Sequence, residues 1–437
     1  MKHRLRVYVS IILLINIVGL FHYIFFLKNE GYLPSPFLYA KDDTFMDFFN
    51  VLQWAYNDGR YTEWNSVYPP LNFFIARLIN FTFGGDFAFG SAGVFRENSI
   101  TVILGLCLIY CLIPAIMLGT RIWREFGFFD KILIYFAILF STPMLFTLER
   151  GNIIILVPFF LSLALSRSDN IRLIIIALLI NIKPYFALLL IFYIARKKWG
   201  GFLYCIFITG VIFLITGLSL DDQFLNFFKN LFLVTKDKDS YSLRELMTLP
   251  SSISAFSFIL MRSEGVDLVA NFINPESLIS VIEVAKWSVL ALSLFSIFAK
   301  SRLLLDAEIF SLLTIVITNL GVSVGGYTLI FYYALIPVFL QMRAKWLYLS
   351  LISVMAIPLD MFDILGGSIG EQYSYLSDTQ IEVFWSLGLG SLMRPIANFL
   401  FVLLISFEVL GRTHKATRSN LPDSARWVRN RAIFQSR

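Results

Sequence analysis

Nine ionisable side chains stand apart from the rest of this sequence: Asp42, Asp43, Asp47, Arg60, Glu63, Glu149, Arg150, Lys183 and Arg244. Each lies in or beside a strongly apolar stretch, and charge patterning assigns all of them to one face of a membrane. An ionisable group at membrane depth costs at least ~2.5 kcal/mol on insertion scales, so each asks for a compensating role. Carboxylates in such surroundings can take a proton, and cations can offset charge on an anion. The scattered His3, His22 and His414 form no comparable group. Cys107, Cys111 and Cys205 sit inside apolar runs without metal-ligand spacing, so they read as small hydrophobes and not as a disulfide or zinc framework. There is no P-loop, no GxGxxG after a strand and no HExxH, so neither a metal nor a nucleotide cofactor is expected. Any chemistry is expected to act on a substrate delivered by lipid.

The elements that must position these side chains follow from composition. Apolar residues make up 57% of the 437 and charged residues 15%, against roughly 25% charged in a soluble domain. No long stretch is polar enough to cover a water-facing surface, which excludes a soluble multidomain protein. The expected fold is an all-α polytopic membrane bundle. The formal charge of +6 is accounted for by a basic tail over 411–437, which the positive-inside rule and anionic headgroups explain without a nucleic-acid partner.

Lys2, Arg4 and Arg6 precede a first apolar run, Val7 to Leu27, long enough to span ~30 Å of hydrocarbon. It reads as a retained span with the N-terminus inside, and residues 28–98 then lie outside. Within that external loop, Asp47 to Tyr56 and Leu71 to Phe83 are expected to form amphipathic helices along the interface. A second external segment covers 219–276. Threading the remaining runs by their basic flanks gives about twelve helices over 1–410, with both termini cytoplasmic and the last span over Ile381 to Leu410.

One stretch is unusual. Ile171 to Ala195 is a single apolar block with Arg172 at one end and Arg196, Lys197 and Lys198 at the other. A single crossing would put one basic cluster outside. Two short helices meeting at Lys183-Pro184 keep both clusters inside and lift Lys183 to the outer face, where proline also breaks the helix.

The cluster Asp47, Gly59-Arg60-Tyr61 and Tyr68-Pro69-Pro70-Leu71 resembles the first external loop of GT-C type glycosyltransferases that use polyprenyl-phosphate-linked sugars, and glycosyltransferase family 87 in particular. Arg150-Gly151-Asn152, followed later by Lys183-Pro184, is similar to that family's Gly-(Gln/Asn) turn and Lys-Pro pair. Ser240 to Arg244 is a weaker match to its Gln-Ser-Leu-Arg. The matches cover roughly the first 250 residues in the family's order, which makes the set more specific than any one motif. Late in the chain Gly321 to Tyr327 reads GVSVGGY where family members often carry Trp or His, so no histidine role transfers.

The resemblance implies a GT-C-like bundle that moves a hexose, mannose among the candidates, from a polyprenyl-phosphate donor to a glycan or glycolipid on the outer face of the inner membrane. It implies inversion without a metal, with Asp47 as general base and Asp42 or Asp43 as substitutes for it. Lys183, Arg150 and Arg244 would hold the donor phosphate, and Asp43, Arg60, Tyr61, Tyr68 and Asn152 would contact substrate. The rivals are a polysaccharide polymerase and a lipid-linked oligosaccharide flippase or transporter. Each residue also has a structural reading: a solvated interfacial Asp47, a snorkelling Lys183, an Arg150 paired with Glu149, and an interfacial belt of Arg60, Glu63, Trp54 and Trp64.

Overall fold

The computed structural model of the chain describes residues 2–413 apart from 38, 86–89, 167, 221–222, 235–250, 257–274, 321–325 and 378. Arg244 and the Ser240 to Arg244 motif, most of GVSVGGY and nearly all of the basic tail lie outside the described residues.

Helix α1 (Lys2–Glu30) runs the length of the bundle and delivers the chain to one end, called here the site end. There the chain builds α2 (Met46–Ala55), α3 (Pro70–Thr82) and the short α4 (Ala92–Glu97). Pro70 opens α3, where its missing N–H costs nothing. Helix α5 (Ile100–Gly119) returns, and α6 (Phe128–Leu139) with α7 (Thr142–Arg150) climbs back as a pair bent by 56°. Then α8 (Val157–Ser166) descends, α9 (Asp169–Ile182) ascends to Lys183, and a 3-10 stretch from Pro184 to Leu190 leads into α10 (Ile191–Ala195). Helices α11 (Trp199–Leu218) and α12 (Asn226–Val234) follow. After them come α13 (Pro275–Lys300), α14 (Asp306–Thr318), α15 (Phe331–Phe339) and α16 (Lys345–Ala356).

Among the described residues, five helices are long and apolar enough to cross a membrane: α1, α5, α11, α13 and the last helix; the bent α6–α7 pair is a sixth. Leu14, Phe21 and Phe25 of α1, Leu104 and Leu108 of α5 and Phe207 of α11 face outward. Such a collar of large apolar side chains suits lipid and not water. The chain is a multi-pass membrane protein. Its core is packed from α8, α9, the 3-10 stretch after it, α14 and α15, where Ile176, Phe186, Phe310, Leu313 and Phe331 are fully buried.

The end opposite the site is held by ion pairs. Arg6 reaches Asp130, and Arg412 Nη2 lies 2.8 Å from Glu308 Oε1. Most informative is Asp306, which accepts from Arg172 Nη1 at 3.2 Å and from Arg196 Nε at 2.7 Å. Both basic ends of the Ile171 to Ala195 block therefore meet one carboxylate, and the block folds back on itself with Lys183 at its far tip. Pro184 breaks the helix there, and α3 caps it. Asn72 Nδ2 approaches the carbonyls of Asn181 at 3.2 Å and Ile182 at 3.0 Å, which α9 leaves without helical donors.

Among the described residues, the chain departs from an all-helical reading at one place. Asp363–Tyr373 (β1) and Gln380–Gly388 (β2) form an antiparallel hairpin at the site end, with Tyr373 opposite Gln380 and Asp363 opposite Gly388. The last helix, α17 (Leu389–Leu410), thus starts at Leu389 and not at Ile381. The reason is periodicity: Val383 and Leu387 are buried, Val383 packing against Tyr32 and Tyr39, while Glu382 and Phe384 point out. Period-two alternation is a strand pattern, but it abuts α17 without a polar break and reads as one long apolar run.

The hairpin is rooted by an ion pair with no exposed side-chain surface. Arg394 Nη1 donates to Asp360 Oδ1 at 2.8 Å, and its other nitrogens reach Asp360 Oδ2 and the carbonyls of Met355 and Ile357. A buried charge that loses its partner is strongly destabilising, by about 3–5 kcal/mol. Asp360→Asn and Arg394→Met should each lower the thermal unfolding temperature in detergent more than Asp360→Leu/Arg394→Met does. A double variant as unstable as the two single losses added together would contradict this.

Candidate active site

The site starts from two backbone turns that cross. Phe45, which precedes α2, has φ +64°, a left-handed conformation that a bulky residue adopts at a cost. Its N–H donates to the carbonyl of Glu149 at 2.7 Å. Facing it, Gly151 ends α7 with φ +66°, and a Cβ there would lie 3.1 Å from Phe45 Cα. Glycine is needed at this position both for its φ and for the closeness of the opposing backbone.

This crossing brings Asp47, in the first turn of α2, against the end of α7. Arg150 Nη2 lies 2.6 Å from Asp47 Oδ1, and Arg150 Nη1 donates to the carbonyl of Asp43 at 3.1 Å. Asn152 Nδ2 donates to Asp47 Oδ2 at 2.8 Å, while its own Oδ1 accepts from Ile154 N and caps the next turn. The Asp47 side chain keeps 18% of its surface exposed, and Arg150 keeps 12%. Each carboxylate oxygen retains a lone pair beyond the bond it already accepts.

Lys183 approaches from the tip of the α9 hairpin. Its Nζ stands 4.1 Å over the ring of Tyr68, and Asp47 is the carboxylate whose charge acts on it. Among the described residues its ammonium donates no hydrogen bond, so a cation–π contact is its main support. Tyr68 is fixed in turn by the buried Tyr61, whose hydroxyl donates to the Tyr68 carbonyl at 3.0 Å. Tyr61 therefore acts on this site through Tyr68.

Other expected site residues fall elsewhere. Arg60 is buried and directed into the protein: Nε donates to the Trp54 carbonyl at 2.9 Å, so the guanidinium caps the C-terminus of α2. Asp42 is turned outward toward Arg96, 3.6 Å away, and Glu63 is exposed. Asp43 contributes its backbone to Arg150. Glu149, read as a partner for Arg150, is buried and acts electrostatically on it.

Three tyrosines complete the surroundings without a signal in the sequence. Tyr110 Oη lies 2.6 Å from the carbonyl of Thr147 and 2.7 Å from that of Asn152, sharing its proton across the turn that carries Arg150. Tyr327 stacks on Phe146. Tyr375, in the hairpin's turn, pairs with Thr44 Oγ1 at 2.7 Å and reaches the Ala40 carbonyl at 3.2 Å. Burial first, then the charge of Glu149, pushes its phenol above the ordinary value. Tyr110 and Tyr327 are hidden in apolar runs, and Tyr375 depends on a hairpin that was not expected. Among the described residues, no three His, Cys, Asp or Glu side chains come together as a metal would need.

Fold and site together define a multi-pass membrane protein with carboxylates and cations gathered at one end of its bundle. The profile of glycosyltransferase family 87 matches residues 67–358, well over half of the chain. The chain belongs to glycosyltransferase family 87. Tyr68, Arg150, Asn152 and Lys183 fall inside the matched span, and Asp47 lies before it. No curated protein and no solved structure matches the chain.

The crossing predicts a sharp effect from a small change. Gly151→Ala should cost about 1–2 kcal/mol from its left-handed backbone alone, before the approach to Phe45 is counted. It should lower thermal stability and cut sugar transfer by roughly tenfold, since a shift of about 1 Å at a positioning element can cost more than that. A variant with unchanged melting and transfer would show that the crossing does not hold the site.

Proposed function

We propose that this glycosyltransferase moves one hexose, mannose being the first to test, from a polyprenyl-phosphate donor to a glycan or glycolipid acceptor, with inversion. The site end faces outward from the inner membrane and both termini are cytoplasmic. The observation that carries the reading is the pairing of Asp47 with Arg150 and Asn152 at the same end of the membrane bundle as Lys183 on Tyr68, from three distant parts of the chain.

The acceptor hydroxyl oxygen attacks the anomeric carbon as the bond from that carbon to the phosphate oxygen breaks. The hydroxyl proton passes to Asp47, and the leaving group departs as polyprenyl phosphate with one more negative charge. Arg150 and Asn152 hold the Asp47 carboxylate in one orientation, so the base is placed before the acceptor arrives. Lys183, held over Tyr68, meets the phosphate and offsets the charge that grows on it. Lysine suits this role because its ammonium is a compact charge on a flexible stem. Tyr61 and Tyr68 act as supports for Lys183. Asp43 and Arg60 contribute through the backbone and through the capping of α2.

The test is transfer in proteoliposomes from radiolabelled polyprenyl-phosphate-mannose, and from other polyprenyl-phosphate hexoses, into a glycolipid extract. Wild-type protein should transfer one of these sugars, and Asp47→Asn should lower kcat about 10²–10⁴-fold while the protein elutes and melts normally. Wild type that transfers none of them, or an Asp47→Asn variant of full activity, contradicts the proposal. Lys183→Met should lower kcat/KM for the donor by at least about tenfold, a loss of at least 1.4 kcal/mol in transition-state binding, with Lys183→Arg recovering part of it. Equal activity in Lys183→Met would remove the phosphate role.

A further inference from the structure

A cavity of about 610 Å³ lies between the β-hairpin and the chain that leaves α1. Its size is ordinary for a small-ligand site, at ~300–1,000 Å³. Tyr32 and Tyr39 form one wall, Phe384 and Trp385 the other, and the exposed carboxylates Glu30 and Asp363 stand at its rim.

The aromatic walls are fixed by the fold. Tyr39 Oη accepts from Ser386 N at 2.9 Å and donates to the Ser386 carbonyl at 3.1 Å, and Phe384 N donates to Tyr32 Oη at 3.4 Å. The Trp385 indole lies against the bare backbone of Gly367, where a Cβ would come within 2.8 Å of Nε1. Glycine at this point of β1 leaves room for the ring. Phe384 keeps half of its surface exposed.

The chemistry of this lining is selective. Aromatic faces accept the C–H faces of sugar rings, and carboxylates and backbone carbonyls accept hydrogen bonds from hydroxyls. Among the described residues that line the cavity there is no Lys, Arg or His. Two carboxylates without a cation disfavour an anionic ligand, a lipid phosphate included, and their place at the rim disfavours an acyl chain.

We propose that this groove binds an uncharged oligosaccharide. The groove is tied to the active site by the chain: Tyr39 in its wall leads within a few residues to Thr44, which Tyr375 at the hairpin's turn holds together with Ala40. If the glycan is that of the acceptor, a step that rests on the proposed transferase reading, the groove holds its remote sugars while the reacting hydroxyl meets Asp47.

The experiment is photolabelling of the purified full-length protein with a panel of neutral trisaccharides of mannose, glucose, galactose and N-acetylglucosamine. Each carries a diazirine at its reducing end, and the labelled peptides are mapped by mass spectrometry. At least one member should label residues 380–388, competed by the unmodified trisaccharide and not by a sulfated one. Trp385→Ala should lower that labelling about tenfold, as loss of an aromatic face worth about 1.5 kcal/mol predicts. Asp363→Asn, at an exposed position, should lower it several-fold without affecting folding. Absence of hairpin labelling by the whole panel, labelling indifferent to both substitutions, or displacement by phospholipid instead of sugar would each overturn the proposal. Labelling needs no donor and no turnover, so a failed transfer assay with intact labelling would count against the transferase reading and not against the groove.

Discussion

Where two left-handed backbone turns cross, at Phe45 and Gly151, the position of everything else in the site is constrained. The contact joins a loop that follows the first membrane helix to the end of a bent pair of helices far along the chain. Its hydrogen bond, from Phe45 N to the Glu149 carbonyl, is one of the few ways an irregular backbone can be satisfied away from water. Strain at Phe45 is maintained because Asp47, Arg150 and Asn152 close over it with charge-assisted bonds. Removing the crossing would separate the carboxylate from its guanidinium and leave both poorly solvated.

Around that crossing the protein arranges supports of a second rank. Tyr110 pins the turn that carries Arg150, Asn72 caps the helix that ends in Lys183, and Tyr61 holds the ring on which the Lys183 ammonium rests. At the opposite end Asp306 ties Arg172 to Arg196, which fixes how far the α9 hairpin reaches. Lys183 is thereby set by contacts at both ends of the bundle, and its ammonium rests on the Tyr68 ring.

Much of this was legible in the residues. An apolar block with basic groups at both ends and Lys183-Pro184 in its middle has one economical solution, and the paired contacts of Asp306 show the chain adopting it. The helices at Met46–Ala55 and Pro70–Thr82 follow the amphipathic pattern within a residue or two. What was illegible had specific causes. The β-hairpin hides because Ile381, Val383, Trp385 and Leu387 alternate with residues themselves partly apolar and then run straight into α17. Arg60 looked like a ligand-facing cation because a sequence shows a charge and not the helix carbonyls it caps. Tyr110 and Tyr375 act through single hydroxyls aimed at distant backbone, which leaves no local pattern to read.

The central claim is that Asp47 and Lys183, distant in sequence, serve one transfer step at one end of the bundle. A double-mutant cycle on kcat/KM for the lipid-linked donor, with Asp47→Asn, Lys183→Met and the pair, tests it most directly. Residues that act as a unit are grossly non-additive, so the account predicts that the pair is scarcely slower than the worse single variant. Losses that multiply in the double variant would place the two residues in independent roles and contradict the account.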